Sequence, residues 1–390
     1  MQKDHLKNRA FRFVLLIGVV SLFADFVYEG ARSINGPYLA ILGASATLVG
    51  VIAGLGELLG YGLRLVSGPF SERTREFWPI TLFGYVVQMA AVPLLAWAPN
   101  WQTAGALIVL ERVGKAIRNP PRDVMLSHAS KEIGLGFGFG LHEAMDQAGA
   151  LAGPLVLAFI LARHGSYRNA FAVLLIPAII TLCVLVAARL LYPTPEDLET
   201  QITSAQSVNF PRAFWIYLTG AALVAAGFAD FSLIAFHFQK SSIVPSLWIP
   251  VFYAVAMATS GAGSLIFGRL FDRTGIWILV PLTLISAASA PLVFLGHFWF
   301  ALVGVGLWGL GMGVHESIIP AAVATMVPQG RRPSAYGIFT GSYGLFWFVG
   351  SVIIGRLYEI SMGWLLAFVI GTQLIAIPIF FSLRKSDRRA

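Results

Sequence analysis

Three stretches of this chain, Ser246–Gly268, Ile276–Gly296 and Ile360–Leu383, each run for more than twenty residues without one charged side chain. An α-helix needs about 20 apolar residues to cross the hydrocarbon layer of a bilayer, and it satisfies every backbone hydrogen bond internally while doing so. Composition points the same way. Only 12% of residues are charged and 57% are hydrophobic, with a mean hydropathy of +0.75, whereas soluble domains carry about 25% charged residues. Too few polar side chains exist to cover a water-facing surface, so the chain needs lipid as solvent.

Glycine, proline and charge punctuation divide the rest into spans at 11–35, 44–67, 78–98, 101–124, 136–162 and 169–190, then 213–238, 246–268, 276–296, 299–326, 334–356 and 360–383. The expected fold class is an all-α membrane protein of twelve transmembrane helices, arranged as two pseudo-symmetric six-helix bundles. The polar stretch Tyr192–Pro211 divides them, giving residues 1–191 as one bundle, 192–211 as a cytoplasmic linker and 212–390 as the other. The basic segment Met1–Arg12 precedes an apolar stretch that holds Asp25 and Glu29 and has no small-residue cleavage site. It reads as a first span and not a removable signal peptide. The single cysteine, Cys183, leaves no disulfide or cysteine-based metal site within one chain.

Lys and Arg concentrate in cytoplasmic loops of membrane proteins. With both termini inside, 19 of the 27 fall in cytoplasmic loops and tails, among them Arg118, Arg122 and Lys131. Five fall outside (Arg32, Arg163, Arg168, Lys240 and Arg356), and Arg64, Arg112 and Lys115 lie within or at the edge of spans. This bias selects an N-in, C-in orientation. It also explains the net charge of +8 as a topology signal, so no nucleic-acid partner is expected.

The halves repeat. Arg9-Ala10-Phe11 returns as Arg212-Ala213-Phe214, and Phe23-Ala24-Asp25-Phe26 as Phe228-Ala229-Asp230-Phe231. Gly68-x-x-x-Glu72-Arg73-Thr74 returns as Gly268-x-x-x-Asp272-Arg273-Thr274, and Ala106, Leu107 and Gly114 as Ala301, Leu302 and Gly309. Four matches in the same order, each in the equivalent span, mark a duplication, and duplicated halves allow a midplane site between two bundles that rock.

The run Gly268-Arg269-Leu270-Phe271-Asp272-Arg273-Thr274-Gly275 resembles the signature loop of the major facilitator superfamily. Its first-half copy, Gly68 to Arg75, has Glu72 for the Asp and Arg75 for the closing Gly. Gly149-x-x-x-Gly153-Pro154 resembles the Gly-Pro motif of that superfamily's drug/proton antiporters. The run Glu111-Arg112-Val113-Gly114-Lys115 with Arg118 and Pro121-Arg122-Asp123, and Gly140 to Asp146, are similar to prokaryotic nickel-resistance-type permeases. The resemblance implies a multi-pass protein of a prokaryotic inner or plasma membrane that transports by alternating access. It also favours Glu72, Arg73, Asp272 and Arg273 as a gate over an exposed turn.

An ionisable group within the bilayer costs roughly 2.5–3.5 kcal/mol on lenient scales, so each asks for a partner or a purpose. Asp25, Glu29 and Arg32 follow at i, i+4 and i+7 on one helical face. They are a carboxylate cluster that binds protons or cations, or a neutralised pair that only positions the helix. His142, Asp146, Gly149 and Gly153 share another face, where the glycines allow close helix approach and bring Asp146 near Arg112 or Lys115. Glu143 sits one residue off it. Glu57 is a further candidate, with Arg64 seven residues on, and Glu111, Lys115 and Arg112 read as a structural charge network. Asp230 occupies the repeat position of Asp25, and Glu316 stands in an otherwise apolar span beside His315, a candidate buried and satisfied histidine. Removing a carboxyl group from water favours its protonated form, as a proton-coupled carrier requires.

No phosphate-cradling Gly-Lys loop and no Ser/His/Asp or Cys/His constellation stands out, so neither an ATP-driven pump nor an enzyme is expected, and no cofactor. The expected function is proton-coupled export of a small cationic or amphipathic solute, because the interior is rich in acids. Its partners are that solute, protons and the bilayer, and the chain is expected to be a monomer. Efflux of a divalent metal or metal chelate is the alternative the resemblance allows, against which stands the lack of a His- or Cys-rich tract. A membrane receptor is the alternative of another class.

Overall fold

The computed structural model describes residues 2–193, 210–315, 319–327 and 332–387. Sixteen α-helices among them account for twelve crossings, because four crossings are broken. Whole crossings are α1 (Gln2–Ile41), α4 (Phe77–Leu94), α5 (Trp101–Ile133), α6 (Leu135–His164), α11 (Ile249–Thr274), α12 (Leu279–Leu295), α15 (Arg332–Ile360) and α16 (Met362–Asp387). Broken ones pair α2 (Ala46–Gly62) with α3 (Arg64–Thr74), α7 (Tyr167–Val173) with α8 (Leu175–Leu191), α9 (Arg212–Ala226) with α10 (Phe231–Ser241), and α13 (Phe298–Gly313) with α14 (Ile319–Met326).

Ten described stretches are long and apolar enough to cross a membrane. The two remaining crossings fall short for different reasons. In α5 the charges Glu111, Arg112, Lys115, Arg118, Arg122 and Asp123 dilute the hydropathy. The apolar helix α13 has 16 residues, about 24 Å at 1.5 Å per residue, less than a bilayer core.

The largest departure from the sequence expectation is α5. It continues through Pro120 and Pro121 to Ile133, so Arg118 and Arg122 are not loop residues. Arg118 is fully buried and Arg122 is 9% exposed. Taking both out leaves 17 basic residues on the inside of the expected topology against five outside. Of the expected linker at 192–211, residues 194–209 lie outside the described residues.

The described chain groups into two compact units, Met1–Ile34 with Gly62–Ile202, and Asn35–Tyr61 with Thr203–Ala390. In lipid no hydrophobic force drives helices together, so close packing depends on small residues that let backbones touch. The first unit has two such crossings. Gly84 on α4 meets Gly114 on α5, with each Cβ position within 2.8 Å of the other's carbonyl oxygen. Gly149 and Gly153 on α6 meet the α1 backbone at Phe26 and Gly30, 3.0 and 3.1 Å from where a Cβ would stand.

In the second unit Gly54 on α2 abuts Phe348 on α15, and Gly355 on α15 abuts Thr47. Glu359 finishes that contact, its Oε1 accepting a 2.9 Å hydrogen bond from the Thr47 amide in the first turn of α2. The break between α9 and α10 is built with dedicated partners. Asp230 caps α10 by accepting from the Ser232 amide at 2.8 Å. Trp308 Nε1 donates to the Ala229 carbonyl at 2.8 Å and Gln373 Nε2 to the Gly227 carbonyl at 3.0 Å. Carbonyls freed by the unwinding are thereby satisfied without water.

Candidate functional site

The Gly84–Gly114 contact determines what stands beside it. Gly114 and Arg118 are one turn apart on α5, and Tyr85 and Gln88 lie one turn apart on α4, so backbone contact delivers Arg118 directly onto both. Its Nε donates to Gln88 Oε1 at 2.5 Å, its Nη1 donates to the Tyr85 hydroxyl at 2.9 Å, and its guanidinium carbon stands 4.2 Å from the Tyr85 ring centroid. Gln88 turns its amide nitrogen to Glu111 Oε1 at 2.7 Å, and Arg112 Nε lies 3.6 Å from Glu111 Oε2. Of the Arg118 nitrogens, Nη2 is without a hydrogen-bond partner among the described residues. That nitrogen is 3.9 Å from Asp25 Oδ1 on α1.

The α1–α6 crossing assembles a second group. His142 Nε2 and Ser21 Oγ share a 2.8 Å hydrogen bond, and His142 Nδ1 is 3.4 Å from Asp146 Oδ2. Arg122 Nη1 donates to Ser21 Oγ at 3.2 Å while its Nε and Nη2 hold Asp123 at 2.9 and 2.7 Å. The cations within electrostatic reach of Asp146 are therefore Arg122 and Arg118, with Asp25 beside them, and not the expected Arg112 or Lys115. The close helix approach expected from Gly149 and Gly153 is present, with α1 as the partner. Glu143 is exposed and accepts from Gln147 at 2.9 Å.

Tyr28 gathers three more cations on the same unit. Arg32 Nη1 donates to its hydroxyl at 3.2 Å, Lys115 Nζ stands 3.8 Å from the ring centroid, and Arg112 stands 4.7 Å from it. Glu29 is buried nearby on α1, within electrostatic reach of Glu111. Asp25, Glu29, Glu111 and Asp146, with the half-exposed Asp123 at the edge, thus face Arg32, Arg112, Lys115, Arg118 and Arg122. The acids of this cluster are matched by as many cations, where the acids alone suggested an acidic interior. Asp25 and Asp146 retain side-chain exposures of 14% and 16%, against none for Arg118.

Sequence reasoning missed Arg118 and Arg122 by placing them in a loop, and it passed over Ser21, Tyr85 and Gln88. A signal was present: Glu111, Lys115, Arg118 and Arg122 follow at intervals of 4, 3 and 4, one stripe along a helix.

The other candidates stand apart from this cluster. Glu57 is buried on α2 in the second unit, and Arg64 is the first residue of α3. Asp230 has the capping task described above. His237 shares a 2.9 Å hydrogen bond with the Tyr358 hydroxyl. Glu316 lies outside the described residues, as do the side chains of Glu72 and Asp272. Arg73 and Arg273 are exposed in the last turns of α3 and α11. The residues that follow those turns, Arg75 and Gly275, both adopt left-handed φ, +56° and +65°. Their ψ angles, 16° and −150°, differ, so the two signature-like loops leave their helices by different turns. Among the described residues no three His, Cys, Asp or Glu side chains are grouped to hold a metal ion.

Comparison with known proteins accords with this architecture. The family model of the Major Facilitator Superfamily matches residues 15–351. An uncharacterized protein of Mycobacterium tuberculosis (strain ATCC 25618 / H37Rv) is 41% identical over 96% of this chain and 93% of its own length. An uncharacterized MFS-type transporter of Methanocaldococcus jannaschii is 26% identical over 93% of this chain and 92% of its own. A shorter match, 27% identical over 40% of this chain and 38% of its own, is the multidrug resistance protein MdtH of Edwardsiella ictaluri. The crystal structure of the nucleoside transporter NupG superposes with a TM-score of 0.74 over 96% of this chain and 99% of that one, at 12% identity. The chain is a multi-pass membrane protein and belongs to the Major Facilitator Superfamily of secondary transporters.

Proposed function

We propose that this transporter is a proton-coupled exporter of small cationic or amphipathic solutes, working by alternating access with both termini in the cytoplasm. The observation that carries the reading is Asp25, a carboxylate 14% exposed and 3.9 Å from a fully buried Arg118 that Tyr85 and Gln88 hold in place. A charge-balanced cluster has no spare countercharge for a second cation. When a proton neutralises Asp25 or Asp146, the cluster gains net positive charge and repels a cationic solute. When the proton leaves, a carboxylate is available to that solute. Competition of this kind couples the two fluxes in opposite directions. The similarity to a multidrug resistance protein over part of the chain supports export as the direction.

The test uses proteoliposomes with an imposed pH gradient, a pH-sensitive dye, and lipophilic cations such as ethidium and tetraphenylphosphonium as probes. Wild-type protein should move cation against proton. Asp25→Asn and Asp146→Asn should each uncouple the fluxes, so that cation equilibrates without moving protons. Coupled transport unchanged in both variants refutes the proposal.

A further inference from the structure

The second unit holds a buried cavity that no transport argument above has used. Its walls come from α9, α12, α13, α14 and α16. Most of the lining is apolar, including Val224, Leu282 and Phe380, but two of the lining residues are His315 and Ser286. Both are buried, at 4% and 3% exposure. His315 Nε2 and Ser286 Oγ each lack a hydrogen-bond partner among the described residues. A buried polar atom left without a partner costs about 1–3 kcal/mol, and native proteins keep few of them. Two on the wall of one cavity call for a shared explanation.

The imidazole cannot turn away to find another partner. The Tyr343 hydroxyl shares a hydrogen bond with His315 Nδ1, and the Phe228 ring packs 4.3 Å from the imidazole. Trp347 closes a further side at 5.5 Å, edge-on. The backbone also contributes, because the helix that continues from α13 widens into a π turn at Val314 and His315. Such turns recur at functional sites. Gly311, one turn earlier, leaves room beside Ser286, whose Oγ would lie 3.1 Å from a Cβ there.

We infer that this cavity is a binding site for one ordered water molecule, held between His315 Nε2 and Ser286 Oγ, completing a hydrogen-bonded chain from Tyr343 through the imidazole to α12. The cavity has room on the scale of a single water, and a buried water needs both that space and two or more polar partners. Thr283 adds a third polar atom to the wall; its hydroxyl donates to the Leu279 carbonyl at 2.7 Å and keeps lone pairs free to accept. A solute of several heavy atoms does not fit. The water fixes the imidazole: with one nitrogen on Tyr343 and the other on water, the ring is held at both ends. The chain links α15, the π turn and α12 through exchangeable protons without using a carboxylate.

The sign of a conservative substitution tests this. If water bridges the two atoms, Ser286→Ala removes one of its anchors and lowers the melting temperature of the purified protein. Ser286→Val fills the space, expels the water, leaves His315 Nε2 unpartnered and lowers the melting temperature further. If the cavity is dry, Ser286→Ala deletes an unsatisfied hydroxyl and Ser286→Val fills a void, so both raise it. A melting temperature at or above that of the parent for Ser286→Ala overturns the proposal, and it decides alone should Ser286→Val fail to fold. A map sharp enough to place ordered water should show density between Nε2 and Oγ in the parent and none in Ser286→Val. Density missing from the parent also overturns it.

Discussion

Replacing Arg118 by Met tests whether the candidate site is a coupled electrostatic unit or a set of neighbours. Arg118 is fully buried and makes two hydrogen bonds, to Gln88 and Tyr85, besides its approach to Asp25. At 3.9 Å the attraction between unit charges is about 4 kcal/mol for an effective permittivity near 20. Desolvation of the two groups offsets much of that, so the pair's net worth is far smaller. Breaking the pair is another matter. Arg118→Met should cost about 3–5 kcal/mol, because it strands Asp25 and leaves Gln88 Oε1 and the Tyr85 hydroxyl without their donor. Asp25→Asn should cost less, since Arg118 keeps both its hydrogen bonds. The double variant should then be more stable than the sum of the two losses predicts, by about 1–3 kcal/mol. Denaturant unfolding in detergent micelles, followed by the fluorescence of the ten tryptophans, gives the three free energies. If the two losses add within about 0.5 kcal/mol, the side chains are not coupled and the proposed role of Asp25 loses its physical basis.

Other substitutions probe the scaffold. Trp308→Phe keeps the ring but orphans the Ala229 carbonyl at the α9–α10 break, and should destabilise by about 1–3 kcal/mol in the same unfolding assay. Gly114→Ala places a methyl group within 2.8 Å of the α4 backbone and should cost about 1–3 kcal/mol, whereas Gly60→Ala on α2, with open space around it, should be neutral or stabilising by up to about 1 kcal/mol. Arg75→Gly should stabilise the signature-like loop of the first half by about 1 kcal/mol, because Arg75 occupies a left-handed conformation that glycine adopts without penalty. Glu359→Ala removes an acceptor from the first turn of α2 and should cost about 0.5–2 kcal/mol, read as a lowered melting temperature.

What the sequence determined by itself was the existence of the spans and their number. Twenty charge-free residues in a row have one stable solution in lipid, and that solution is local: each helix satisfies its own backbone. Helical spacing along one chain is local too, which is why His142, Asp146, Gly149 and Gly153 could be placed on one face and α6 expected to approach a neighbour closely. The identity of that neighbour was not local. Arg118 is bound by residues 30 and 33 positions away, Ser21 and His142 meet across 121, and only the glycine contacts between helices bring them together. The same limit applies to Asp25 and Asp230. The repeat makes them equivalent in sequence, yet one stands inside an unbroken helix facing an arginine and the other caps a helix at a break. The balance of charge was also decided by packing. Counting acids in the spans suggested an acidic interior. Burial of Arg118 and Arg122 on α5, where the loop count had placed them in the cytoplasm, supplied the countercharges, because lipid tolerates neither charge without the other.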